Sequence, residues 1–152
     1  MKKIIVHQYQ EIVDNAVSRV ADLFVPPEGW LRTMRNALGM SGAQLARRLG
    51  TSRAQVSQAE KNELAGVITL KTLKRMAEGM GCRVVYAIVP ESLAGDIVAG
   101  RARRKAEQLI HKTSTHMALE QQSLDEKQLS FELERLQREL IQEMPSDLWN
   151  DD

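Results

Sequence analysis

Residues 40–62, MSGAQLARRLGTSRAQVSQAEKN, contain two short helical patterns that a glycine separates. Ser41 followed by Gln44 has the spacing of a capping box, which predicts that a helix begins at Gly42. Gly50 predicts the end of that helix. The apolar residues of one face are Leu45, Ala46 and Leu49. We therefore expect this face to pack against a neighbouring helix.

The second helical pattern runs from residue 53 to about residue 61, and either Thr51 or Ser52 is its cap. Val56 and Ala59 are spaced to point inward, which leaves a polar face outward. The outward face carries Arg53, Ala54, Ser57 and Gln58. Two short helices joined by a tight turn that contains glycine form a helix-turn-helix unit, whose second helix lies in the DNA major groove.

The segment resembles the lambdoid phage repressor and Xre type of helix-turn-helix. The run QLARRLG matches the core of that family, Val56 matches its buried aliphatic residue, and Glu60 matches the acid near the end of its recognition helix. The resemblance implies base readers at Ser52, Arg53, Ala54 and Gln58, with Ser57 and Lys61 near the DNA backbone. Gly42 replaces a phosphate-binding Gln of several phage repressors, so backbone amides at the helix start, next to Ser41, are expected to bind that phosphate.

Arg53 and Gln58 are the residues predicted to set base preference. Arg can donate two hydrogen bonds to guanine and Gln can pair similarly with adenine, each giving about 1–3 kcal/mol of discrimination. The alternative is an ordinary solvated face, but the ordered pattern of cap, glycine and buried aliphatic residues favours DNA recognition. Glu60 is interpreted as structural, orienting a neighbouring Arg or capping a turn, because no second carboxylate or His accompanies it.

Further helical patterns lie on both sides of this unit. Residues 8–24 carry an apolar stripe that is expected to cover the helix-turn-helix core or a dimer mate, in preference to a membrane surface. After two prolines, residues 29–38 form a helix with Arg32 and Arg35 outward, where they either contact DNA phosphates or form a solvated basic face. Thr69 caps a helix over residues 70–80. Inward positions of these two helices are Trp30, Leu31, Met34, Leu38, Leu70, Leu73, Met76 and Ala77.

Residues 83–89, RVVYAIV, are typical of a β-strand. A single strand cannot satisfy its own backbone groups, and the simplest partner is the same strand of a second subunit. This predicts a homodimer whose two recognition helices are spaced for a palindromic operator. The residues assigned to dimerisation are Val84, Val85, Tyr86 and Ile88. Residues 4–6 are an alternative strand partner.

The net charge of +1 is unevenly distributed. Residues 1–90 contain 13 Lys and Arg against 7 Asp and Glu, whereas residues 91–152 contain 8 against 13. This division favours a nucleic-acid module joined to an acidic interaction segment, because phosphate contacts supply most sequence-independent DNA affinity. The single cysteine, Cys82, excludes an intrachain disulfide and favours a reducing cytoplasm.

The C-terminal part is predicted to be helical. Residues 92–119 contain a basic cluster that contacts DNA, contacts an acidic partner or is an ordinary solvated patch. A connection over residues 119–125 leads to a charged helix over residues 125–144, whose leucines are spaced like a coiled-coil seam. An acidic tail follows, with Trp149 as its expected anchor. The cluster is Arg101, Arg103, Arg104 and Lys105, and the leucines are Leu129, Leu133, Leu136 and Leu140.

These patterns predict a mainly α protein: a lambda-repressor-like helix-turn-helix domain with a short dimerising β-strand and additional N- and C-terminal helices. The expected segments are residues 1–28, residues 29–90 and a helical, acidic arm over residues 91–152. No Gly-rich phosphate loop, metal cluster or Ser, His and Asp constellation is present in the sequence, so we expect no enzyme, no cofactor and no metal. No apolar run approaches a membrane span, so we expect a cytoplasmic protein, associated with the bacterial nucleoid when it binds double-stranded DNA.

Over residues 5–110 the chain resembles the mobile mystery protein A family, through PPEGWLRTMRNALGMS, QLARRLG, ITLKTLKRMAEGMGC, VVYAIVP and ARRKA. The resemblance implies a repressor that acts as the antitoxin-like autoregulator of a toxin-antitoxin pair with a Fic-type AMP-transferase. Fic inhibitors share a helix with Ser or Thr, three residues, Glu, and then Gly or Asn. Ser130 and Glu134 fit this pattern, whereas Arg135 does not, and a packing or dimer helix is the other interpretation. The alternative function is a phage-type transcriptional repressor without a toxin partner.

Overall fold

The computed structural model describes residues 2–119 and 125–151. Within these residues the chain forms seven α-helices and no β-strand. They belong to two compact units: the first unit is Asp22–Ala87, and the second unit combines residues 1–21 with residues 88–152. The mainly helical fold is therefore confirmed. The helices are α1 (Lys2–Val20), α2 (Trp30–Ala37), α3 (Gly42–Leu49), α4 (Arg53–Ala65), α5 (Leu70–Gly79), α6 (Ala94–Leu119) and α7 (Glu126–Glu143).

One apolar core joins α2, α3, α4 and α5 in the first unit. Leu45 and Val56 are its least exposed large side chains, with 0% and 1% of their surface accessible. Burying a side chain of this size stabilises the fold by about 1.5–3 kcal/mol. The other buried members are Leu31, Ala46, Ala59, Met76 and Met80. The core thus includes the inward positions that the helical spacing predicts for α4.

Three residues for which the helical spacing predicts burial are exposed instead. Trp30, Leu38 and Leu70 are 46%, 46% and 45% exposed. Each lies at a helix end: Trp30 and Leu70 are the first residues of α2 and α5, and Leu38 is the C-cap of α2. A residue in a terminal turn has helical neighbours on one side only, so periodicity alone overestimates its burial.

Local hydrogen bonds define the turn between α3 and α4. Ser41 Oγ accepts from the Gln44 amide at 3.1 Å, and Gln44 Oε1 accepts from the Ser41 amide at 2.7 Å. The predicted capping box is therefore confirmed. Gly50 ends α3, and Ser52 caps α4 by accepting from the Gln55 amide at 3.2 Å. Of the two candidate caps, Ser52 is the one that the structure uses.

The ends of α3 and α5 are held together by two arginines and one glycine. Arg48 Nε donates to the carbonyl oxygen of Gly79 at 2.8 Å, and an Arg75 Nη donates to that of Leu49 at 3.0 Å. These bonds satisfy carbonyl groups that a helix end leaves without an intrahelical partner. A Cβ at Gly79 would lie 2.6 Å from Leu49 Cδ2, so this position requires glycine for the close approach of the two helices.

The predicted strand is not seen in the described residues of this single chain. Residues 82–90 contain neither helix nor strand, and residues 4–6 lie inside α1. Branched and aromatic side chains favour a strand when a second strand pairs its backbone groups. The part of the chain that the structure describes supplies no such strand, so the composition of this run alone does not produce one.

In the second unit, α1 packs against α6. The helix begins at Lys2 and ends at Val20, earlier at both ends than the predicted residues 8–24. Asp14 Oδ1 accepts from the Ala94 amide at 2.8 Å, which places a carboxylate at the positive N-terminus of α6. The apolar stripe of α1, predicted to cover the helix-turn-helix core or a dimer mate, therefore belongs to a unit formed with α6.

Among the described residues, helices α6 and α7 form the most extensive helix pair. Ala102 and Ala106 of α6 are 0% exposed. Gln137 Nε2 donates to the carbonyl oxygen of Ala99 at 2.9 Å. The four leucines predicted as a coiled-coil seam on α7 are all partly buried. The predicted connection between α6 and α7 lies largely in residues 120–124, outside the described residues.

The C-terminal tail binds α6 through a residue other than the predicted one. Leu148 is 1% exposed, whereas Trp149, the expected anchor, is 56% exposed. Arg101 donates to the carbonyl oxygens of Leu148 and Asn150 at 2.5 and 2.6 Å and to Asp151 Oδ1 at 2.9 Å. Arg101 is thus buried under the tail of its own chain, which corrects its assignment to an outward basic cluster.

Lys105 is the second member of that cluster that the structure buries. Its side chain is 7% exposed, and its Nζ lies 3.9 Å from Asp147 Oδ2. Arg103 remains exposed and pairs with Glu107 at 3.2 Å. Arg104 is exposed. Arg101 and Lys105 are four positions apart and therefore lie on the same, buried face of α6. Arg103 and Arg104 lie on its exposed face.

No helix in the described ranges is sufficiently long and apolar to span a membrane.

Candidate nucleic-acid interface

The outward face of α4 is the candidate DNA-reading surface of the first unit. Val56 and Ala59, at 1% and 6% exposed, anchor the opposite face of α4 in the core. Because these two residues fix the rotation of the helix, the positions on its opposite side are turned to solvent. The structure brings together all the predicted recognition-helix residues there: Ser52, Arg53, Ala54, Ser57, Gln58 and Lys61 are exposed.

The start of α3 lies near the N-terminal part of α4. A Cβ at Gly42 would lie 3.8 Å from Arg53 Cγ, so the aliphatic part of Arg53 passes close to the first turn of α3. Ser41 caps that turn through its Oγ, which accepts a hydrogen bond there. A hydroxyl that accepts in this way still has its own hydrogen to donate to a phosphate oxygen. Ser41 and Arg53 can therefore act on the same stretch of DNA.

Gln58 has a side-chain partner that sequence reasoning missed. Its Nε2 donates to Asn62 Oδ1 at 2.9 Å. The sequence pattern predicts the end of this helix at about residue 61, but α4 continues to Ala65 and therefore carries Asn62 on the helix. Residues four apart lie on the same face of a helix, which is why these two amides meet.

Arg35 forms an ion pair inside the first unit instead of lying outward. Its Nε lies 2.6 Å from Glu60 Oε1, and one Nη donates to Glu60 Oε2 at 3.2 Å while the other donates to the Met40 carbonyl oxygen at 2.9 Å. The hydrogen bonds that Arg35 donates to the Glu60 carboxylate raise the pKa of the Arg35 guanidinium above its ordinary value, although burial opposes this. Glu60 thus orients a neighbouring Arg, as expected, and Arg35 has a structural role in place of the expected phosphate contact.

Arg32 remains available at the surface. Its Nε lies 3.6 Å from Glu28 Oε2, and the two side chains are 56% and 58% exposed. An exposed ion pair of this kind contributes little stability, so Arg32 can leave Glu28 and contact a phosphate at little cost. Of the two arginines on α2, Arg32 is therefore the better candidate for contacting DNA.

Glu63 is a second structural acid on α4. Its two carboxylate oxygens accept from the Leu31 amide at 3.1 and 3.3 Å, which caps the N-terminus of α2 from a different helix. Gly29, the N-cap of α2, has a φ of +84°, and a Cβ there would lie 2.4 Å from Glu63 Oε2. A side chain at Gly29 would therefore displace the carboxylate. Sequence spacing gave no sign of this contact, because the two residues are far apart in the chain.

The two units differ in the sign of their net charge. The first unit contains ten Lys and Arg against five Asp and Glu, for a net charge of +5, whereas the second unit contains eleven against fifteen, for −4. A positive field attracts the phosphate backbone and a negative one repels it. The unit that carries the exposed face of α4 is thus the one whose charge favours DNA.

The residues assigned to dimerisation and to partner inhibition are mostly exposed. Val85, Tyr86 and Ile88 are 79%, 65% and 87% exposed, and Val84 is partly buried. Ser130 and Glu134 are both exposed on α7. In the described residues, no group of three or more His, Cys, Asp or Glu side chains is arranged to hold a metal ion.

Comparison with known proteins identifies the class of the first unit. Residues 31–86 match the family model described as Helix-turn-helix. No curated protein and no solved structure matches the chain. Residues 31–86 therefore form an Xre-type helix-turn-helix domain, a class typical of DNA-binding transcription regulators. The match ends within the run at residues 83–89 and leaves the second unit unassigned.

Proposed function

We propose that this protein is a sequence-specific transcriptional repressor that binds a palindromic operator as a homodimer. The observation that supports it best is the outward face of α4, where Arg53, Ser57 and Gln58 are exposed while Val56 and Ala59 are buried. A helix docked in the major groove needs this division between a reading face and an anchored face. The protein would act in the cytoplasm, on the nucleoid.

Arg53 and Gln58 read bases in this proposal. Arg53 donates to guanine O6 and N7, and Gln58 pairs with the N6 and N7 edge of adenine. Ser41, Ser57, Lys61 and Arg32 contact phosphates and fix the position of α4 in the groove. Ser52 contacts a base edge, and Ala54 contacts a thymine methyl group or leaves room for the base edge. Selection of duplexes from a random pool, followed by footprinting of the selected sequence, tests the proposal. A protein that enriches no sequence would contradict it.

Arg53→Ala is expected to relax base preference at one operator position. The variant loses a bidentate contact, so discrimination there falls by about 1–3 kcal/mol while preferences elsewhere in the site persist. Equilibrium binding to duplexes that differ at single positions measures this change. A uniform loss of affinity for all duplexes would instead assign Arg53 to the phosphates.

Lys61→Ala is expected to weaken binding equally for all sequences and to reduce the slope of log affinity against log salt by about one. The matched control is Lys127→Ala, which removes an exposed lysine from α7 in the second unit. The control variant should retain the wild-type slope. Equal effects of both variants would show that Lys61 acts only through net charge.

The proposed dimer forms when residues 83–89 of two copies pair as antiparallel strands. Val85 and Ile88 are large apolar side chains with 79% and 87% of their surface exposed, which is costly in an isolated chain. Pairing would satisfy the backbone groups of the run and cover these side chains. A two-fold axis through this run would also duplicate α4 for two half-sites of a palindrome.

Val85→Asp is expected to convert the dimer to a monomer, because it places a charge in the paired run and opposes the same charge from the other copy. The matched control is Val67→Asp, at a valine that is 65% exposed in the loop after α4. Light scattering after size exclusion measures the mass of each variant. A dimer that survives Val85→Asp would contradict strand pairing, and a monomeric Val67→Asp would place the interface elsewhere.

An antitoxin role is a second candidate for the second unit. Ser130 and Glu134 are exposed one helical turn apart on α7, so both can enter a site on a partner protein. Residues 118–152 carry three bases and ten acids, which suits binding to a protein better than binding to DNA. Co-purification with the product of a neighbouring Fic gene tests this role, with Glu134→Ala expected to restore AMP transfer. Failure to co-purify would favour a phage-type repressor without a toxin partner.

A further inference from the structure

We infer that Asn62 is a positioning residue for base reading, which orients the amide of Gln58 toward the DNA. This inference rests on the proposed function, since it names how one base reader is held. Gln58 Nε2 donates to Asn62 Oδ1 at 2.9 Å, and both residues lie on α4. The Xre pattern does not predict this contact, because Asn62 follows the predicted end of the recognition helix.

The hydrogen bond leaves Gln58 with the groups that adenine requires. One Nε2 hydrogen is used by Asn62, so the second Nε2 hydrogen and Oε1 remain. The remaining N–H can donate to adenine N7 while Oε1 accepts from the N6 amino group. A free Gln side chain samples many rotamers, whereas one held at its amide loses less freedom when it binds a base.

The length of α4 makes this arrangement available. The helix continues to Ala65, and the carbonyl oxygen of Asn62 accepts from the Val67 and Ile68 amides at 2.9 and 3.2 Å. The backbone of Asn62 is thus fixed by the turn that ends α4. Its side chain is partly buried, while that of Gln58 is exposed. Asn62 is therefore held in place by the turn and can in turn hold the amide of Gln58.

The test measures base preference separately from affinity. The informative operator position is the one whose preference Gln58→Ala removes, and four duplexes with each base pair at that position are titrated with every variant. A bidentate Gln gives discrimination of about 5- to 150-fold, and Asn62→Ala is expected to lose at least about threefold of it. Asn62→Ala should fold normally, because alanine favours a helix more than asparagine does.

Two further variants distinguish orientation from direct contact. Asn62→Asp keeps an acceptor for Gln58 Nε2, so it should retain the base preference while its charge weakens binding to all four duplexes equally. Gln58→Ala combined with Asn62→Ala should behave like Gln58→Ala alone, because a positioning residue has no effect once the positioned side chain is gone.

Three results would overturn the inference: an unchanged preference in Asn62→Ala, a preference lost in Asn62→Asp, or a further loss in the double variant. In each case the wild-type protein still selects an operator, so the proposed function stands and only the role of Asn62 fails. Wild-type protein that selects no sequence would instead overturn the proposed function and this inference together.

Discussion

Glu60→Ala is expected to lower the free energy of unfolding of the first unit by about 3 kcal/mol. The reason is the Arg35 side chain, which is 14% exposed and loses its carboxylate partner, itself 13% exposed. A largely buried guanidinium without a counter-charge must either remain poorly solvated or pull α2 away from the core. Because a domain of this size has a total stability of about 5–15 kcal/mol, the loss is a large fraction of it.

The two tryptophans of the chain allow this loss to be measured in one unit at a time. Trp30 lies in the first unit and Trp149 in the second. Urea denaturation in a Trp149→Phe background, followed by fluorescence, reports the unfolding of the first unit alone. The same measurement in a Trp30→Phe background should show little effect of Glu60→Ala on the second unit.

The matched control for Glu60→Ala is Glu28→Ala. This substitution also removes a carboxylate that pairs with an arginine of α2, but the Glu28 and Arg32 side chains are 58% and 56% exposed. We expect it to cost less than about 0.5 kcal/mol. Equal effects of the two substitutions would show that burial does not determine the strength of the pair. The Arg35→Ala and Glu60→Ala double variant should cost less than the sum of the two single ones.

Leu148→Ala is expected to release the C-terminal tail from α6 and to destabilise the second unit by about 3 kcal/mol. Leu148 is 1% exposed, and the carbonyl oxygens at positions 148 and 150 accept hydrogen bonds from Arg101. Once the leucine no longer holds the tail, these bonds are lost and the buried guanidinium of Arg101 is left without partners. Trp149 is adjacent in sequence, so its fluorescence in a Trp30→Phe background reports the change directly.

Asp147→Asn is the matched control for the tail. Asp147 lies 3.9 Å from Lys105 Nζ with its own side chain 60% exposed, and asparagine keeps an oxygen that can accept from this ammonium, so the substitution should change stability much less than Leu148→Ala does. Limited proteolysis provides a second measurement, with faster cleavage near residue 148 expected in Leu148→Ala alone. If Leu148→Ala leaves both the unfolding curve and the cleavage rate unchanged, the tail does not stabilise the second unit.

The parts of the fold that sequence predicted correctly depend on short-range interactions. The capping box of Ser41 and Gln44 and the glycine at position 50 act within a few residues, and each boundary they predict is present. The burial of Val56 and Ala59 likewise follows from spacing within one helix. Such features do not depend on the tertiary structure, which is why the helix-turn-helix unit can be located from the amino-acid sequence alone.

Several contacts that the sequence did not predict depend on distant parts of the chain. Arg101 binds a tail 47 positions away, and Glu63 caps α2 across 32 positions, so neither contact follows from local spacing. Residues 83–89 have the composition of a strand, but a strand forms only when a second strand pairs with it. The described part of this single chain supplies no such partner. The assignment of base readers on α4 remains a prediction, because the exposure of these side chains does not test what they bind.

Helix α4 is attached to α2 through residues that differ from those on its exposed face. Glu60 and Glu63, toward the C-terminal end of α4, bind α2, whereas Arg53 and Ser57 face solvent nearer the N-terminal end. Exchanges at exposed positions usually alter stability by no more than about 0.5 kcal/mol. In the proposed function this exposed side of α4 is the reading face, so new operators can be acquired by replacing its residues while the contacts of Glu60 and Glu63 with α2 stay intact.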